Sequence, residues 1–127
     1  MAAIESAVLE RVSELERKSL DRPDDVKTFD KVKIEAVSLG PYCIIRGTLQ
    51  PCASCSEVAK SMGTEQCEME HVGYIISGQL RATLKDGTKL DFRAGDAFTI
   101  PAGHDALVVG NQPVTLIGFA LGSEGCH

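Results

Sequence analysis

An all-β antiparallel sandwich or barrel, preceded by one amphipathic α-helix, is the architecture this sequence predicts. Three observations carry it. Apolar and polar residues alternate with period two from Lys31 onward, the alternating runs are short, and Gly, Pro, Asn and Asp separate them at regular intervals. The first twenty residues alone follow a helical period.

Residues 2 to about 19 place Ile4, Val8, Val12 and Leu15 at i, i+4, i+8 and i+11, one apolar stripe between Glu, Arg and Lys faces. Asp21, Arg22 and Pro23 end it, because a residue before proline is pushed out of the α region. The stripe suits a helix packed on its own domain and a dimer arm equally well. The expected division is a helical arm over 1–22 and a barrel domain over 23–127.

Val32, Ile34 and Ala36 then alternate with Lys33, Glu35 and Val37, and residues 42–49 form a second run after the Gly40-Pro41 turn. Residues 74–76 lead into Ser77-Gly78, and 79–85 form the next strand. Asp86-Gly87 predicts a two-residue hairpin of the primed type, with 88–92 returning. Residues 97–100, 106–109 and 114–120 complete the set. There are no repeats or long linkers.

At 127 residues the chain makes one domain that buries roughly two-thirds of its unfolded surface. A net charge of −5, with no concentration of Lys and Arg, argues against nucleic acid. No tryptophan is present for base or sugar stacking. The N-terminus mixes apolar and charged residues where a secretory signal needs an unbroken apolar run, and no window approaches a membrane span. Five cysteines, an odd number, then predict reduced thiols in the cytoplasm.

The chemistry concentrates in residues 65–111. Glu65, Cys67 and His71 read E-x-C-x-x-x-H, and on an unbroken strand they share one face. Carboxylate, thiolate and imidazole on one face form a transition-metal half-site, and His104, after the Pro101-Ala102-Gly103 turn, could supply the other half. The blander readings are a small buried hydrophobe for Cys67, a hydrogen-bonded core histidine for His71 and a solvent-facing turn histidine for His104. Glu65 could be a ligand, an acceptor orienting an imidazole, or a solvated charge. Glu68 and Glu70 alternate to the outer face. Asp105 is the remaining acid–base candidate. Cys52-Ala53-Ser54-Cys55 is a CxxC without a second pair at zinc-ribbon spacing, and it follows a strand in an all-β context, unlike a redox motif. Cys126 and His127 fall in a Gly-rich tail.

These residues resemble the cupin superfamily, small jelly-roll barrels with an internal metal or ligand site. Gly95, Pro101 and Gly103 match the spacing of its second motif, G-x5-P-x-G-x2-H-x3-N. Its first motif, H-x-H-x3,4-E-x6-G, is matched in spacing only. Gly78 lies at the glycine, His71 at the glutamate, and Glu65 and Cys67 at the two histidines. The second motif's histidine falls on Ala106 and its asparagine on Gly110, while His104 lies two residues earlier on the same expected face. The runs C-x3-H-x-G-Y-x2-S-G and I-P-x-G-H-D-A look like a subfamily of small stand-alone cupins, over about residues 30–121.

The resemblance implies a cupin-type antiparallel jelly-roll barrel, a small-molecule ligand and a homodimer. A Cys67, His71, His104 and Glu65 set favours zinc over magnesium or calcium, with iron, nickel, copper and manganese as alternatives. Two functions compete. One is a metal-dependent cupin that binds, and in some forms transforms, a small organic molecule. The other is a non-catalytic sensor or binding module acting through its helix and dimer surface.

Overall fold

The computed structural model describes residues 12–53 and 70–121. The alternating runs become nine strands: β1 (Asp25–Phe29), β2 (Val32–Leu39), β3 (Tyr42–Leu49), β4 (His71–Ser77), β5 (Gln79–Leu84), β6 (Lys89–Arg93), β7 (Ala97–Ile100), β8 (His104–Val108) and β9 (Val114–Leu121). They pair in two antiparallel sheets, a six-stranded one ordered β1-β2-β3-β9-β4-β7 and a three-stranded one ordered β6-β5-β8. The all-β antiparallel reading holds. Among the described residues no strand pairing joins the two sheets into a closed ring.

The predicted helix does not appear where it can be checked. Residues 12–19 have no helical structure, and Val12 and Leu15 are exposed; residues 1–11 lie outside the described part. What anchors this segment is polar. Arg46 of β3 donates to the Leu20 carbonyl at 3.2 Å and to Asp21 Oδ1 at 3.0 Å, while Asp24 bonds both Lys18 and the Ser38 amide. An isolated helix this short is marginal in water without an apolar face to pack on.

Three local differences have local causes. β1 escapes the periodic reading because its sequence DVKTF offers one inward anchor, Phe29, opposite Val32. β8 begins at His104 rather than 106, since Gly103 takes φ +79° and releases the chain into the sheet at once. The β5–β6 hairpin is not a primed turn. Both primed types need positive φ at the first central residue, here Asp86, and Cys52 is the single non-glycine with positive φ among the described residues. Instead the Gly87 amide donates to the Leu84 carbonyl at 3.0 Å, Leu84 donates to the Thr88 carbonyl at 2.9 Å, and Gly87 takes φ +91°. This is a turn followed by a glycine bulge, and Asp86 braces it by accepting from the Thr88 amide.

Gly78 makes the crossing from the large sheet to the small one. Its φ is +84°, and a Cβ there would run into the Pro113 carbonyl oxygen and sit 2.9 Å from Val114 Cα. No other residue fits that approach.

Strand register sorts the interior along its length. Val32, Leu49 and Val114 come together at one end, joined by Ile75, Leu80 and Val108 in the core cluster. Phe92 and Phe98 stack at 5.2 Å, with Phe98 opposite Gly73, one inward position along β4 from His71. At the opposite end stand the inward residues Cys43, His71, Ile100 and His104. One end is oil; the other carries donors.

Candidate metal centre

His71 and His104 are the first residues of β4 and β8, and the sheets bring them to the same end of the molecule. His71 lies opposite Ile100 of β7, on the face of β4 that buries Gly73 and Ile75. His104 lies opposite Leu84 of β5, on the face that buries Ala106 and Val108. The parity expected for His104 is therefore the one observed. The two rings meet edge to face, centroids 4.9 Å apart and planes at 77°.

His104 is 1% exposed. A buried imidazole must be hydrogen-bonded, and its Nδ1 lies 2.7 Å from the Pro101 carbonyl oxygen. A carbonyl can only accept, so Nδ1 is the protonated nitrogen and a neutral ring carries its lone pair on Nε2. The Pro101-Ala102-Gly103 turn thus delivers the histidine to the strand and selects its tautomer. The motif spacing locates this turn, but it does not show the carbonyl's role.

The distance between the two rings can be set against that of two imidazoles on one ion. With metal–nitrogen bonds near 2.0–2.1 Å, each ring centroid lies about 3.2 Å from the ion, which puts two centroids roughly 4.5–5.2 Å apart for angles between square and tetrahedral. The observed 4.9 Å falls inside that range. A backbone carbonyl on the far nitrogen is also the usual way a ligating histidine is oriented. Among the described residues no group of three or more His, Cys, Asp or Glu converges. Glu65 and Cys67, the other two expected donors, lie outside the described residues, as do Cys55, Glu68, Cys126 and His127.

Asp105 does not belong to the site. It sits on the opposite face of β8 from His104, paired with Thr83, and its carboxylate accepts from the Ala106 amide at 2.8 Å. Glu70 is exposed, as its parity requires. Cys52 is exposed and free in the turn after β3, with φ +69°, and the rest of the CxxC, Ser54 and Cys55, lies outside the described residues.

Cys43 overturns the reduced-thiol expectation. It is disulfide-bonded and fully buried on the inward face of β3. It pairs with Ala120, and the β4–β9 register continues that row toward His71. A count of cysteines could not foresee a bond that depends on folded geometry. Strand parity does place Cys43 inward.

The charged groups with displaced pKa values lie elsewhere. Arg46 holds the Glu35 carboxyl below its usual range through paired hydrogen bonds of 3.0 and 3.1 Å, burial opposing it. Arg81 does the same for Asp91, Lys18 for Asp24, and the Thr88 amide for Asp86. These are ties on outer faces and turns, and they bind the frame rather than a ligand.

No helix among the described residues is long and apolar enough to cross a membrane. No curated protein sequence matches the chain. Solved structures share its fold at low identity. The oxalate decarboxylase–formate complex from Lactobacillus farciminis superposes with a TM-score of 0.62 at 14% identity, over 87% of this chain and 34% of that one. The polyketide cyclase RemF from Streptomyces resistomycificus gives 0.61 at 16%, over 85% and 80%. The Bacillus subtilis oxalate decarboxylase studied for its Mn(II) centres gives 0.58 at 17%, over 81% and 28%. The chain therefore spans about a third of either decarboxylase. The family described as EutQ-like cupin domain matches residues 52–115, half of the chain and the part that carries both histidines. The chain belongs to the EutQ-like cupin family.

Proposed function

We propose that this chain is a small metal-binding cupin whose two sheets form a jelly-roll barrel, with a divalent transition metal held at its donor end and a small organic molecule bound beside it. One observation carries the reading: two inward histidines from different sheets, 4.9 Å apart, one of them locked by a backbone carbonyl. His71 and His104 would hold the ion, with Cys67 and Glu65 as the further donors. Zinc is the ion that a thiolate-containing set favours. When bound, such an ion supplies Lewis acidity toward an oxygen of the bound molecule.

What the chain's own residues do follows from their placement. The Pro101 carbonyl keeps the proton on Nδ1 of His104. Ile100 and Leu84 flank the imidazoles in register. Phe98, opposite Gly73 and stacked on Phe92, bounds the ligand space next to His71.

The test is elemental analysis of tag-free protein beside His71→Ala, His104→Ala and Cys67→Ser. About one metal per chain, lost in both histidine variants, supports the site, and the Cys67→Ser result decides the thiolate. Wild-type protein that holds no metal and takes none up on reconstitution would end the proposal.

A further inference from the structure

The interior of the large sheet sets a sulfur in line with the two imidazoles. Cys43 pairs with Ala120 of β9, and the β4–β9 register, continued by one pair, sets His71 opposite Ala120 in turn. Cys43 is fully buried, and its sulfur is held in a disulfide. Between Cys43 and His71 the row presents only the methyl group of Ala120. Neighbouring strands lie about 4.8 Å apart, so two spacings separate these backbones by roughly 9.6 Å. A metal-bound thiolate reaches about 3.4 Å from its Cβ, and an imidazole bound through its outer nitrogen about 6 Å. Together they match the gap.

As the structure stands, the sulfur cannot serve. A metal takes the thiolate, and a disulfide sulfur carries no such charge. Among the described residues no three of His, Cys, Asp or Glu converge in this state.

We infer that the Cys43 disulfide is a redox latch on the metal centre. Closed, it withholds the sulfur; opened by a dithiol reductant, it releases Cys43 as a thiolate donor beside His71 and His104. The latch rests on the metal site proposed above. The step is thiol–disulfide exchange. Because Cys43 is buried, the external thiolate attacks the partner sulfur, and Cys43 leaves as the thiolate. The second thiol of the reductant then displaces the partner sulfur and closes the reductant's own disulfide. Two electrons pass to the protein; of the dithiol's two protons, one ends on the partner sulfur and the other in solvent.

Coupling follows in both directions. Reduction tightens the ion, and the ion favours the reduced form by the same factor. A disulfide that is only a staple stabilises the fold and leaves metal affinity alone.

Zinc titration of the full chain against a chromophoric chelator tests this, before and after reduction with a dithiol that is then removed without air. Reduced wild type should bind zinc at least about tenfold more tightly, which corresponds to a rise of about 30 mV in the disulfide's midpoint under saturating zinc. Cys43→Ser should bind as the oxidised protein does, with or without reductant. Cys52→Ser, which removes the exposed free thiol, should keep the tightening. Should Cys43→Ser fail to fold, the wild-type midpoint with and without zinc carries the test. Equal or weaker binding after reduction overturns the latch and leaves the histidine site standing, as does a Cys43→Ser protein that binds like reduced wild type. Zinc that binds neither form removes the site itself.

Discussion

His71 and His104 stand edge to face at 4.9 Å because each opens a strand of a different sheet. They differ in what holds them. His104 is buried and bonded to the Pro101 carbonyl, whereas His71 is half-buried at the end of β4.

Substitution should therefore separate holding metal from holding the fold. His104→Ala loses a buried hydrogen bond and is expected to lower the stability of metal-free protein by about 1–3 kcal/mol. His71→Ala should cost under about 1 kcal/mol, as a partly exposed side chain does. Urea melts of the apo forms read this difference, while metal content should fall in both. Equal stability losses would mean that the Pro101 contact contributes nothing.

Acid should loosen the N-terminal segment. Arg46 holds Glu35 below its ordinary value of 4.5, and Lys18 holds Asp24 below 3.8. As pH falls the unfolded chain takes up these protons first. The stabilisation is thus complete above the ordinary values and is lost as pH falls through the lowered folded ones. Thermal melts from pH 7 to pH 3 should show a decline beginning near the ordinary glutamate value. Glu35→Gln should be less stable at pH 7 and show a shallower decline. A parallel curve would remove Glu35 from the account.

Two glycines with similar φ should respond differently to alanine. At Gly87 nothing lies within 4 Å of a new Cβ, so only the left-handed backbone resists, at about 1–2 kcal/mol. At Gly78 the Pro113 carbonyl and Val114 Cα stand in the way as well, and the loss should exceed about 3 kcal/mol. Denaturation midpoints of Gly78→Ala and Gly87→Ala in one buffer would check the order.

The cysteines should label in two classes. Cys52, exposed and free, is expected to react with iodoacetamide in the native protein, and Cys43 only after reduction and unfolding. Peptide mapping without reduction would identify the partner of Cys43. Should that partner prove to be Cys67, the thiolate drops out of the donor set, and the two imidazoles with Glu65 remain.

Much of the fold is legible because burial on one face imposes period two. β2 announces itself by alternation, β3 and β9 by apolar runs between turn residues, and Gly78, Gly95 and Gly103 by their positive φ at the turns. β1 stays hidden, since an edge strand with one inward side chain leaves almost no pattern. Over residues 12–19 the helical stripe misleads for the converse reason. The spacing of Val12 and Leu15 suits a helix, but both are exposed and the segment is tied down by polar contacts of Arg46 and Asp24 instead. At the site, parity places His104 correctly, while the Pro101 carbonyl is a backbone group and leaves no trace in residue identity. The Cys43 bond depends on how two cysteines meet in the fold, which residue identity alone does not record.

The position of the apolar residues has a bearing on how the donor end can vary. Val32, Ile75, Leu80, Val108 and Val114 keep the sheets together away from the histidines. The packing that joins the two sheets is therefore complete without the imidazoles, so a side chain beside His71 or His104 can be exchanged with most of the core left in place.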